Sequence, residues 1–355
     1  MIKKMIKIIL LFGALGVFSF ILFLAYMTIT DYRPKEKEAI PLMIENNKDD
    51  WIKRNTPFSI LTFNIGYCGL DKGQDFFKSG GKMSRSKSKE QTETNLKKII
   101  QFLNKEKTSF ICLQEVDIDA SRSFHINQLK ALKNALSMYS STFALNYKVS
   151  WVPVPIADPM GSVYSGIVSM SKYKISESNR YQYPGKEKWP IQVFMLDRCF
   201  LESRIPVENG KELVLVNSHL SAYDKGGEIR KKQLAYLKEY ITKEYNRGNY
   251  VIVGGDFNHV LPGTDPKLFK TTEKWPEWLF HLPNDFTPDG FMWVADKYVP
   301  TVRENGAPYK SGENFTVVID GFLVSPNILI KKVYGHELNF ENSDHNPVTG
   351  IFELK

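Results

Sequence analysis

Cysteine is scarce in this chain. Three occur in 355 residues, Cys68, Cys112 and Cys199, and no two stand in a CxxC spacing. That argues against a structural zinc site and against a disulfide framework. Cys112, inside the apolar stretch Phe110–Leu113, reads as a small buried hydrophobe. Internal repeats are missing. Charged residues make up 24% and prolines number 18, which excludes a disordered chain. A strong basic bias is missing too. The net charge is +8, and Lys3, Lys4 and Lys7 account for three of it. So modest an excess suits a phosphate-bearing partner or an anionic surface, but it is not a nucleic-acid signature. What the chain does have is apolar material, 43% of residues, enough for one large core or at most two domains.

Charge is absent from Ile8 to Thr30, where Ile, Leu, Phe, Val and Ala dominate. At about 1.5 Å per residue a helix of that length spans the ~30 Å hydrocarbon core of a bilayer. A cleaved signal peptide would have a shorter apolar part and a small-residue cleavage site; Tyr26-Met27-Thr28-Ile29-Thr30 offers neither. The expectation is an uncleaved single-pass anchor over residues 1–30, with a juxtamembrane linker over 31–56 and one catalytic domain over 57–355. The lysines ahead of the run favour a cytoplasmic N-terminus and an extracytoplasmic domain.

Along that domain, Phe58–Asn64 reads as a buried strand and Thr92–Lys105 as a helix, with Leu96, Ile99, Ile100 and Leu103 on one face. Ser109–Leu113 is the next strand, and Ile126–Leu136 a second amphipathic helix. Thr142–Ser150, Ser165–Met170, Gln192–Ile205, Glu212–Asn217, Tyr250–Val253, Asn314–Val324 and Val348–Glu353 read as strands, and Ile229–Lys243 as a helix. Asn209-Gly210 marks a hairpin turn. The Gly/Ser/Lys-rich loop 65–89 is either a solvated loop or a phosphate-facing flap. Leu261–Thr301 is irregular and rich in Trp and Pro. Many strands with a few interspersed helices predict two sheets face to face with helices outside.

Polar residues interrupt the ends of these apolar runs. Asn64 ends the first strand and must have its amide satisfied by a neighbouring loop, a metal or a phosphate. Glu115 follows Ile-Cys-Leu-Gln, where a carboxylate needs a cation or a donor. His219 ends the Leu213–Asn217 run and alone could be a packed core histidine. Asp256 and Asn258 follow Gly254-Gly255 at a spacing that puts both side chains on one face of an extended segment. Asp320 lies inside Val317–Ser325, and Ser343-Asp344-His345 closes the set. His345 is the natural partner of Asp320, since such a pair fixes the imidazole tautomer and raises its pKa. Carboxylates that can hold a hard cation or orient water, beside imidazoles that can meet phosphate oxygens, are what metal-assisted phosphoester hydrolysis requires.

LTFNIG (61–66), FICLQEVD (110–117), LVNSHL (215–220), VIVGGDFNHV (251–260), VIDGFLVS (318–325) and NSDHNPV (342–348) together resemble the motifs of the endonuclease/exonuclease/phosphatase superfamily, which includes deoxyribonuclease I-like nucleases and neutral sphingomyelinases. The resemblance implies a four-layer α/β sandwich: two packed, mainly antiparallel sheets flanked by helices. It implies a divalent cation, magnesium with manganese as the alternative, on Glu115 and Asn64 with Asp344 beside them. It implies catalytic roles for His219, Asp256, Asn258, Asp320 and His345, with Asn258 and His219 contacting the phosphate. Two departures stand out. Gly66 occupies a position where some family nucleases carry Asp, and no Glu matches the one that supports the first histidine in deoxyribonuclease I.

The expected function is a divalent-metal-dependent phosphoester hydrolase, an extracytoplasmic phosphodiesterase of nuclease type. The alternative is a lipid phosphodiesterase or phosphatase, supported by the anchor and the aromatic Trp275–Phe286 loop; a catalytically dead binding module is the third reading. The expected partners are a nucleic-acid or phospholipid phosphoester and the membrane, with no obligate protein partner.

Overall fold

The computed structural model describes residues 2–355. Helix α1 runs Ile2–Ile29. The domain after it is built on two sheets. The strands in chain order are β1 (Ala39–Pro41), β2 (Phe58–Asn64), β3 (Phe110–Ala120), β4 (Ser140–Val152), β5 (Gly161–Ser171), β6 (Glu177–Gln182), β7 (Cys199–Pro206), β8 (Glu212–His219) and β9 (Tyr250–Asp256), then Met292–Val294, Asp320–Val324, Ile328–Gly335 and Val348–Leu354. One sheet has the order β1-β6-β7-β8-β9, Asp320–Val324, Met292–Val294. The other runs Ile328–Gly335, Val348–Leu354, β2-β3-β5-β4.

Both sheets are mainly antiparallel, and each contains a parallel pair: β2 with β3, and β8 with β9. Parallel neighbours need a crossover. Helix α2 (Lys89–Glu106) supplies the first and α4 (Glu228–Asn246) the second; α3 (Gln128–Ala135) lies beside α2. Ser88 caps α2, its hydroxyl accepting from the Gln91 N–H at 3.1 Å, which satisfies an otherwise orphaned first-turn donor.

Strand alternation explains the four layers. In β2 and β3, Ile60, Phe110 and Cys112 face the second sheet, where Leu213, Leu215, Ile252 and Phe322 meet them. The alternate residues Leu61, Phe63, Ile111 and Leu113 pack outward under Leu96, Ile99 and Leu103 of α2. Val214, Val216, Val251 and Val253 likewise pack outward under Leu234, Leu237 and Ile241 of α4. Each fully buried aliphatic or Phe side chain contributes about 1.5–3 kcal/mol, so the layering is set by the period-2 pattern.

Three sequence expectations change. The strand expected over Gln192–Ile205 begins only at Cys199, because Ile191–Phe194 forms a short 3-10 turn. Asn314–Val324 is broken: the backbone N–H groups of Ile319 and Asp320 both turn to Thr301 Oγ1, at 2.9 and 3.0 Å, between two short strands. The segment 31–56 contributes the edge strand β1, which pairs Ala39–Pro41 with β6.

Candidate active site

The parallel pairs place their C-terminal ends at one mouth of the sandwich. Asn64 ends β2, His219 ends β8 and Asp256 ends β9, and all three share the even-numbered or odd-numbered face that lower down forms the inter-sheet core. His219 pairs with Asp256 in the parallel register, and Asp256 pairs with Asp320 in the antiparallel one. Three adjacent strands therefore bring their side chains to one level.

Glu115 arrives by another route. Simple alternation would send it outward with Leu113. Instead the ladder with β5 shifts between Leu113 and Val116, and Glu115 takes a φ of 55°. An extra residue in the strand puts neighbours 114 and 115 on the same side, as a β-bulge does. Gln114 points into the inter-sheet layer and donates to Asn217 Oδ1 at 2.8 Å; Asn217 donates in turn to the Val168 carbonyl at 2.8 Å. That strut joins the two sheets under the mouth, and Glu115 sits above it.

The amide nitrogen of Asn64 lies between two acids. It donates to Asp256 Oδ2 at 3.1 Å and to Glu115 Oε1 at 3.3 Å, while Asn64 Oδ1 accepts from the Gly66 N–H at 3.0 Å. Asp256 Oδ1 accepts from the Asn258 N–H at 2.9 Å, and the Asn258 amide donates to the Leu220 carbonyl at 2.9 Å. His345 Nδ1 is 2.9 Å from Asp320 Oδ2. Asp256 Oδ2 stands 3.4 Å from His219 Nε2 and 3.8 Å from His345 Nε2. Asp344 is held by Asn305, whose amide donates to Oδ2 at 2.8 Å. Seven of the eight residues singled out in the sequence thus line a single cleft, and the eighth, Asp320, stands directly behind His345.

The electrostatics divide them. Burial raises the Asp256 carboxyl, and Asp320 raises it further against the opposing charge of His345. Burial likewise raises Asp344, to about 6, with Glu115 adding to it and His345 opposing. Burial opposes charge on His345, but Asp320, Asp256 and Asp344 outweigh it and lift the imidazole to about 10. His219 goes the other way: burial, then Arg198 and His345, drive it well below 6.5. Near neutrality one imidazole is charged and its neighbour is not, the separation that assigns an acid and a neutral donor at one centre.

The site fits a divalent cation. Glu115, Asp256 and Asp344 present carboxylate oxygens to the cleft, and the Asn64 amide bridges Glu115 and Asp256 where a hard cation would serve both. Asp256, Asp320 and His345 also bring three potential ligand atoms within 4.8 Å of one another. There, however, His345 Nδ1 is already engaged by Asp320, so the oxygen donors Glu115, Asn64 and Asp344 suit the ion better. The two sequence departures have structural counterparts. A side chain at Gly66 would place its Cβ 2.7 Å from Asp344 Oδ1, so an acid there has no room. His219 Nδ1 is buried and has no hydrogen-bond partner among the described residues.

Sequence reasoning missed Arg198. It is half-buried in the cleft, its Nη1 is shielded and lacks a partner among the described residues, and it makes no ion pair there within 4.0 Å. It stands outside every quoted motif, in a segment expected to be plain strand, so nothing local marked it. Lys78 of the 65–89 loop also reaches the cleft. Burial, then Arg198 and Arg122, lower its ammonium to about 8; its Nζ lies 3.9 Å from Met195 Sδ and 5.8 Å from the centre of the Tyr223 ring. The aromatic loop contributes Trp278, which lines the cleft and donates to Glu304 at 3.0 Å, while Leu279, Leu282 and Phe286 are buried.

The endonuclease/exonuclease/phosphatase family model matches residues 61–345. No curated protein matches the chain. Among solved structures, an endonuclease/exonuclease/phosphatase from Beutenbergia cavernae superposes with a TM-score of 0.55 at 17% identity, covering 84% of this chain and 72% of that one. D. rerio TDP2 complexed with a single-strand DNA product gives 0.54 at 15% identity, over 84% and 100%. ANGEL2, a 2',3'-cyclic phosphatase in complex with adenosine-2',3'-vanadate, gives 0.54 at 16% identity, over 89% and 99%. At these identities the neighbours speak for the fold, while the family match extends from the first strand of the site to its last histidine. The chain belongs to the endonuclease/exonuclease/phosphatase family of metal-dependent phosphoester hydrolases.

Proposed function

We propose that the cleft hydrolyses a phosphodiester by in-line attack of water, with magnesium as the cation. Glu115, Asn64 and Asp344 would hold the ion, which when bound neutralises phosphate charge and favours attack at phosphorus. Asp256, fixed by Asn64 and the Asn258 N–H, orients the water. Protonated His345, steadied by Asp320, donates to a phosphate or leaving oxygen. Neutral His219 offers a hydrogen bond to a phosphoryl oxygen, as does Asn258. Arg198 and Lys78 supply positive charge at the cleft wall. The observation that carries this reading is the convergence of His219 and His345 on one Asp256 oxygen.

For the substrate, a nuclease reading draws support from TDP2, solved with a single-strand DNA product. A lipid phosphodiesterase reading draws support from the docking of α1 beside the cleft. The basic residues Lys3, Lys4 and Lys7 favour an extracytoplasmic domain; protease added to intact cells should then release a fragment of nearly domain size, and release only after lysis would reverse that orientation. Assaying plasmid DNA, sphingomyelin and phosphoinositides in parallel decides between the substrate classes.

A further inference from the structure

Helix α1 does not end free of the domain. Phe23 stacks on Phe194 with ring centroids 6.0 Å apart, and Met27 is buried against Tyr147, Val149, Val152 and Val193. Trp189 Nε1 donates to Thr28 Oγ1 at 3.1 Å, and Arg33 turns back to the Thr28 carbonyl at 2.8 Å. The uncharged run begins at Ile8. A bilayer core of ~30 Å consumes about 20 residues at 1.5 Å each, which takes the span from Ile8 to about Met27. The domain surface gripping Phe23 and Met27 must then lie at the boundary between hydrocarbon and head groups.

That surface is apolar and open. Trp189 is 62% exposed and Ile191 55%; on the loop that continues β4, Ile156 is 91% exposed, and Val154 on that loop and Trp151 at the end of β4 are also exposed. Trp and aliphatic side chains gathered beside a spanning helix suit the interfacial layer. The same segment forms one wall of the cleft: Lys186, Gln192 and Met195 line it, as does Met160, which shares the buried cluster with Met27.

We propose that the domain rests on the leaflet through Trp151, Val154, Ile156, Trp189 and Ile191, so that the cleft opens onto the head-group layer and takes the phosphoester of a membrane amphiphile. The end of α1 packs on Val149, Val152 and Val193, chain neighbours of the exposed Trp151, Val154 and Ile191, and on Met160 of the cleft wall, and this adjacency to the span selects a lipid leaflet as the occupant. The substrate part rests on the hydrolase reading above.

The test uses the full chain in nanodiscs of phosphatidylcholine and phosphatidylglycerol. A fluorophore is attached at Ile156→Cys, at Ile191→Cys and, as the control, at Leu329→Cys on the far edge strand of the six-stranded sheet; the three native cysteines are buried. Lipid-borne quenchers should reach positions 156 and 191, and aqueous iodide should quench them about fivefold less than position 329. Equal iodide quenching at all three overturns the seat. In parallel, the I156D/I191D double variant should lose about tenfold in hydrolysis of phospholipid in the disc while keeping its rate on soluble bis(p-nitrophenyl) phosphate. Unchanged phospholipid hydrolysis, or cleavage of single-stranded DNA with none of phospholipid, overturns the substrate assignment. Failure to cleave any of the three esters with magnesium sinks the hydrolase reading instead, and the label positions still decide the seat.

Discussion

His219 and His345 reach for the same oxygen of Asp256, yet only one of them has an acid behind it. Asp320 accepts from His345 Nδ1, and nothing among the described residues meets His219 Nδ1. Asp320 and His345 should therefore behave as one unit. D320N and H345A should each lower the rate by about 10²-fold or more, and the double variant should be little worse than either, because residues acting together are strongly non-additive; additive losses in kcat/KM would break the pair. The pH dependence follows from the same contact. The folded value of His345 lies above 6.5, so the stability it contributes is complete below about 6.5 and is lost as pH rises through about 10. The alkaline limb of the rate should sit there, and D320N should move it to lower pH. His219 has the opposite sign: its folded value is depressed, so the unfolded chain takes the proton first and stability falls as pH drops below about 6.5. Glu115 tests the cation. E115Q should weaken magnesium binding and cost about 10²-fold or more in rate, several kcal/mol, with an unchanged circular-dichroism spectrum.

At the scale of elements, Gly255 shows how tightly the site is built. It pairs with Ser218 across β8 and β9, its φ is 153°, and an added Cβ would stand 2.0 Å from the Ser218 carbonyl oxygen. G255A should destabilise the domain by about 3 kcal/mol and misplace His219 and Asp256 together; a thermal melt and the rate report both. Strands β2, β8 and β9 were legible in the sequence because uninterrupted apolar runs ended in the very residues that define the mouth. The gathering of seven of the eight candidate residues in one cleft, with Asp320 behind His345, follows from polar residues placed at or near the ends of such runs. The bulge at Glu115 was not: it depends on the pairing with β5, a long-range contact that leaves no local pattern. Nor was Ile328–Gly335, where Lys331 and Lys332 at a register shift hide the alternation. Arg198 was hidden because a cation in a charged, half-exposed segment looks like ordinary surface until the fold closes over it.

The whole molecule joins a helix long and apolar enough to cross a membrane to a sandwich of the hydrolase family, and the end of that helix packs on the sandwich. Residues expected to form a linker supply an edge strand, and Glu45 bridges to Ser141 on β4. A chain beginning at Asp31 should fold with full site activity on a soluble ester. One beginning at Asp50 loses β1 and the Glu45 bridge and should melt several degrees lower while the cleft survives, since its strands begin at Phe58. Equal melting temperatures would show that the edge strand adds nothing. Whether a cation-loaded cleft organised around Asp256 hydrolyses phosphoesters is decided by magnesium-dependent release of p-nitrophenolate from bis(p-nitrophenyl) phosphate. The purified chain should release it with magnesium, stop in EDTA and recover when magnesium is restored, and D256N should be inactive though folded; a rate indifferent to EDTA, or a D256N chain as fast as the parent, would contradict such hydrolysis.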